Sequence, residues 1–229
     1  MRRRPAISTD LRTGAWPVLP AWKAIAGALT IGVLLLATMV LAAVRFHEPV
    51  AVFTQDGSAL GNLPWYSGSV SLLNGMVWAV VAGLSLLVAW LEPEDRLRLS
   101  GLALFTGVLA ADDALQLHEV AGPDNGIPQP WFLALYAASG LVLLALFVLG
   151  GRPGPLIAFL LGLGLLGISV AFDEVVSRQI LIIEDGSKLM GAVMWLAVPV
   201  IVAGRLRRGR DLPAPVADRS ALEREHQQA

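Results

Sequence analysis

Two adjacent carboxylates, Asp112 and Asp113, lie inside an otherwise apolar stretch and are followed closely by His118 and Glu119. Further acids stand at Asp173 and Glu174 and at Glu184 and Asp185, with Lys188 one turn beyond the last pair. Carboxylate oxygens with an imidazole suit a hard or borderline divalent cation such as Zn, Mn, Fe, Mg or Ca. The same groups, crowded away from water, have a second remedy, which is to hold a proton. The expected metal ligands are Asp112, His118, Glu119 and Asp173, with Asp113, Glu184, Asp185, His47 and Glu48 as weaker members. If a metal-bound water attacks a substrate, Glu119, Glu184 and Glu174 are the candidate catalytic bases. Lys188 is the expected charge partner, reaching Glu184 at i, i+4 and Asp185 at i, i+3. Solvation of some of these acids, or pairing with Lys188, Arg178 and Arg45 that merely stitches helix ends together, is the plain structural alternative.

The elements that must position these residues follow from composition. Of 229 residues, 55% are hydrophobic and only 15% charged, where about 25% charged is usual for a soluble domain. The mean hydropathy is +0.66. A water-soluble chain this small cannot hide that much apolar surface, so an integral membrane protein is expected. A net charge of −1 excludes a general nucleic-acid binder. With no Cys, disulfides, thiolate metal sites and Cys nucleophiles are excluded as well. No P-loop, G-x-S-x-G or H-E-x-x-H motif is present.

A bilayer core of ~30 Å needs about 20 apolar residues per helix. Six such runs are predicted, over residues 24–44, 69–91, 97–117, 131–149, 156–176 and 188–204. The fold class is therefore all-α and polytopic, six transmembrane helices as three antiparallel hairpins. Residues 1–23 and 205–229 form tails on either side of a transmembrane domain at 24–204. Fourteen of the 17 basic residues fall on one set of loops and tails, leaving Arg45, Arg178 and Lys188 opposite. The positive-inside rule then places both termini in the cytoplasm of a plasma (inner) membrane. Ten of the 18 carboxylates lie on the outer side, where cations are scarce. The Glu92-Pro93-Glu94-Asp95 corner is expected to be a solvated inner turn.

At ~100° per residue, Asp112, Gln116 and Glu119 share a stripe as long as the helix continues, with Asp113 turned about a quarter circle away. Ser67, Ser71, Asn74, Trp78 and Ser85 align on the second helix, and Glu184, Lys188, Gly191 and Trp195 on the sixth. Gly162, Ser169, Asp173 and Ser177 align on the fifth. Polar stripes on four helices argue for convergence on the bundle interior, with the two aspartates roughly 8 Å below the outer helix end at ~1.5 Å per residue. Small residues such as Gly162 and Gly191 predict close helix crossings, and Pro199 predicts a kink in the sixth helix. His47-Glu48, His118-Glu119 and Asp173-Glu174 stand at matching places on the outward helices, as three repeated hairpins or by coincidence.

Three functions fit these readings. One is cation or proton handling, in a transporter or ion-coupled protein, since ionisable residues in a membrane are functional by default. Another is a membrane-embedded, metal-dependent hydrolase of a lipid-like substrate. The third is a non-catalytic subunit or assembly factor. Partners expected from the sequence are the lipid bilayer and a cation or lipid-like substrate, with no nucleic acid.

Overall fold

A computed structural model of the chain describes residues 19–54, 66–175 and 181–211. Six long helices carry the fold: α1 (Leu19–Phe46), α2 (Ser69–Leu91), α3 (Arg96–Leu115), α4 (Gln129–Leu149), α5 (Pro153–Val175) and α6 (Leu181–Asp211). Short helical turns follow α1 at Ala51–Thr54, join α2 to α3 at Pro93–Asp95, and follow α3 at Leu117–Ala121 and Gly122–Asp124. No strand occurs among the described residues.

Five of the helices are long and apolar enough to cross a membrane: Ala21–Phe46, Ser69–Leu91, Gln129–Leu149, Pro153–Phe172 and Ile183–Gly204. The sixth predicted span, α3, is not among them. Arg96 and Arg98 occupy one end and Asp112 and Asp113 the other, so its uncharged stretch is residues 99–111. That covers about 20 Å at ~1.5 Å per residue, short of the hydrocarbon thickness. Apolar side chains also cover much of the exterior, including Leu41, Leu72, Leu104, Leu141 and Leu149. Water tolerates so broad an apolar surface poorly; hydrocarbon accepts it.

α6 is the central helix, the most buried of the five. It runs antiparallel to α1, where Gly32 faces Met190 and Gly186 faces Leu36. It runs antiparallel to α5 as well, where Gly162 meets Gly191 and Gly154 meets Ile201. A Cβ at Gly191 would lie 3.0 Å from the Gly162 carbonyl oxygen, and the reverse substitution meets the Gly191 oxygen at 3.0 Å. The expected small-residue crossing is therefore a backbone-to-backbone contact that admits no side chain on either helix. α2 packs antiparallel on α3, with Asn74 beside Asp113 and Ala82 beside Gly107. Trp78, Phe105, Phe159 and Trp195 fill the middle of the bundle with ring contacts of 5.1 to 5.7 Å.

The corner between α2 and α3 differs from the expected solvated turn. Asp95 is buried there and pairs with Arg98 at 2.9 Å and with Arg152, which also takes Glu94. Arg152 lies in the connection from α4 to α5, so this network fastens two helix pairs to each other at one end. A turn rich in acids reads as solvated when its basic partner is 57 residues away in the chain.

Candidate functional site

The site is built by a break in α3. Gln116 adopts the left-handed conformation, with φ 51° and ψ 45°, and ends the helix at Leu115. For a residue with a Cβ this costs roughly 1 kcal/mol or more. The chain then turns through the single π turn Leu117–Ala121. The reversal carries His118 back over the helix end: its backbone N–H donates to Asp112 Oδ1 at 3.0 Å, and its Nδ1 lies 2.6 Å from Asp112 Oδ2. The stripe expected to align Gln116 and Glu119 with Asp112 therefore stops one turn early. His118 takes the place that a continuing helix would have denied it.

Asp112 is 2% exposed, and the hydroxyl of Tyr136 from α4 lies close to its carboxylate. The His118 and Tyr136 rings meet edge-on at 6.5 Å. Asp113, a quarter turn round, faces α2 and α6. Its Oδ1 accepts from Lys188 Nζ at 2.7 Å and its Oδ2 from Asn74 Nδ2 at 2.7 Å. Four helices thus converge: α3 supplies both acids, α2 Asn74 and α6 Lys188 as their stripes predicted, and α4 supplies Tyr136 from a helix on which no stripe was expected.

Lys188 was expected to serve its own helix at Glu184 and Asp185. The structure extends it across to Asp113, whose carboxylate is 6% exposed while the lysine side chain is 30% exposed. A carboxylate that deep gains strongly from a counterion. Glu184 accepts Ser187 Oγ through its backbone carbonyl at 3.0 Å.

His47 and Glu48 belong to another locality. His47 ends α1 with φ 59° and is exposed. Glu48 accepts from Tyr66, and Tyr66 stacks on Phe46 at 4.7 Å and on Phe53 at 5.3 Å. Desolvation and then the Glu48 charge push the Tyr66 phenol above its ordinary value, so it stays a neutral donor. The three outward helices also end differently. The left-handed residue is His47 itself after α1 and Gln116 after α3, whereas α5 remains helical through Val175. The backbone at the three places of the His-Glu, His-Glu, Asp-Glu pattern is thus not the same: left-handed at His47, a π turn at His118 and α-helix at Asp173. The side chains of Glu119, Asp173 and Glu174 lie outside the described residues. Among the described residues, no three metal-ligating side chains come together.

Tyr136 is the member that the sequence reading missed. It is one of only two tyrosines, and the signal was a phenol in the first turns of an apolar helix. Below the acids, three polar atoms on one stripe of α2 are buried with no hydrogen-bond partner among the described residues: Asn74 Oδ1, Trp78 Nε1 and Ser85 Oγ. Such a group ordinarily costs about 1–3 kcal/mol when dry. Between α1 and α2, finally, an apolar groove of about 380 Å³ runs past Met39, Phe53, Leu73, Met76 and Leu189.

Fold and site together define an all-helical protein of apolar helices, five of them long enough to span a membrane, around a buried acid–base cluster. The chain belongs to the family described as Domain of unknown function (DUF8692), which matches residues 26–202, more than three quarters of its length. No curated protein and no solved structure matches it.

Proposed function

We propose that the protein is a multi-pass plasma-membrane protein, with both termini cytoplasmic, whose cluster of Asp112, Asp113, His118, Tyr136 and Lys188 binds and releases a proton as part of ion handling. The observation that carries this reading is charge balance. Two buried carboxylates face one ammonium, and the group touching the uncompensated acid is an imidazole. In low dielectric an uncompensated charge is expensive. A proton on His118 supplies the missing positive charge where Asp112 already accepts from the ring. Because Asp112 holds Nδ1, the proton in question is the one at Nε2, the usual arrangement for a histidine that changes charge near neutral pH.

The test uses full-length protein in lipid nanodiscs, titrated while carboxylate and imidazole infrared bands are followed, with metal content measured on the same samples. About one proton per chain should be taken up as the pH falls, and His118→Gln should abolish that step. Proton flux into liposomes then separates transport from a static site. An unchanged titration in His118→Gln would overturn the reading.

One observation keeps a metal in view. A carboxylate gripping Nδ1 is also how metal-binding histidines are commonly oriented, and Glu119 and Asp173 are the further ligands that would be required. Stoichiometric metal that disappears in Asp112→Asn together with Glu119→Gln would replace the proton reading with a metal site. The groove between α1 and α2 would then be the lateral opening through which a lipid-like substrate reaches a hydrolase.

A further inference from the structure

We infer that Asn74, Trp78 and Ser85 line an internal water track that leads from the Asp113–Lys188 pair along the buried face of α2. Its use as a proton path rests on the proposed function; the hydration itself does not. The three side chains lie within about 40° of one another on the helix, at ~100° per residue, and span roughly 16 Å of its length. They are 3%, 1% and 0% exposed, so bulk solvent cannot satisfy them. Yet Asn74 Oδ1, Trp78 Nε1 and Ser85 Oγ find no partner among the described residues. Buried polar groups in native proteins are bonded to protein or to ordered water. A line of them with no protein partner is what buried waters occupy, each water joining two or more polar atoms.

The neighbouring tryptophan supplies the contrast. Trp195 packs edge-on against Trp78 at 5.5 Å and is equally buried, but its Nε1 donates to the Phe159 carbonyl at 2.9 Å. Thr106, another buried hydroxyl, bonds to the Leu102 carbonyl of its own helix at 2.8 Å. Of the five buried side-chain atoms without a hydrogen-bond partner among the described residues, three fall on this one stripe of α2; the others are Ser67 Oγ, just before it, and Arg98 Nη1 on α3. The top of that stripe is already committed, because Asn74 donates to Asp113 through Nδ2. A water on Oδ1 would therefore be joined, through the Asn74 amide, to the carboxylate that Lys188 neutralises.

The experiment is indole N–H exchange with water in full-length protein labelled with 15N-tryptophan in nanodiscs, the signals being assigned from Trp78→Phe and Trp195→Phe. Trp78 should exchange at least tenfold faster than Trp195 despite equal burial, and Ser85→Val together with Asn74→Leu should slow it. If Trp78 is as protected as Trp195, the track does not exist, whatever the titration of His118 shows. If Trp78 exchanges quickly but the cluster takes up no proton, the track stands and only its use as a proton path falls.

Discussion

Asp113 and Lys188 illustrate how a single residue pair can be indispensable without adding much net stability. Removing one partner of a buried ion pair typically costs about 3–5 kcal/mol, whereas removing both and filling the space is often neutral. Lys188 is 30% exposed, so the loss for Asp113→Asn should fall near the lower end, about 3 kcal/mol. Thermal unfolding in detergent should show that loss and should show most of it recovered when Lys188→Met is added. Equal and additive losses would mean that the two residues do not act on each other. At Gln116 the backbone, rather than the side chain, sets the constraint. A β-branched residue tolerates the left-handed region worst, so Gln116→Val should destabilise by about 1–2 kcal/mol. It should also release His118 from Asp112, which a histidine NMR signal would report, while Gln116→Asn should retain both.

At the level of elements, hydropathy made the helices legible and their spacing made most of the seams legible. The stripes of Asn74 and Trp78, of Lys188 and Trp195, and of the two aspartates do meet. What could not be read was where a helix stops for a reason other than Gly or Pro. Gln116 carries no such signature, so the reach of His118 to Asp112 was out of view. Lys188 was assigned to Glu184 and Asp185 on local spacing, which is visible in a sequence; its reach across to Asp113 on another helix is not. Asp95 was taken as solvated on the same grounds. The Gly162–Gly191 crossing was visible, and it gives the sharpest test at this scale. With a carbonyl oxygen 3.0 Å from either added Cβ, Gly191→Val must push α5 away from α6 or unwind it. Overpacking of this kind costs about 1–3 kcal/mol, and it should also weaken the hydrogen bond from Trp195 to Phe159. Red-shifted tryptophan fluorescence with a lowered unfolding temperature is the expected result; Gly164→Ala, where an added Cβ meets nothing within 4 Å, should show neither.

For the molecule as a whole, the open question is whether α3 crosses the bilayer, since the orientation of everything after it depends on the answer. An isolated Asp or Arg at the centre of a spanning helix costs about 2.5–3.5 kcal/mol, and α3 carries charges at both ends. Its neighbours offset part of that cost: Lys188 pairs with Asp113 and Asp95 with Arg98, while His118 bonds to Asp112. Arg96 is exposed at the helix start, where a long side chain can extend to the interface. The bundle therefore permits a helix to span that hydropathy alone rejects, with its basic end on the side that holds the other basic loops. Because the chain has no cysteine, single cysteines can map this without background. Pro93→Cys before α3 and Asp124→Cys after it are both exposed positions. In intact cells a membrane-impermeant maleimide should label Asp124→Cys, and Pro93→Cys should react only after permeabilisation. Labelling of both from one side would mean that α3 re-enters or lies flat. The acid cluster would then no longer sit between the two faces of the membrane, and the case for a proton passing through it would go with the span.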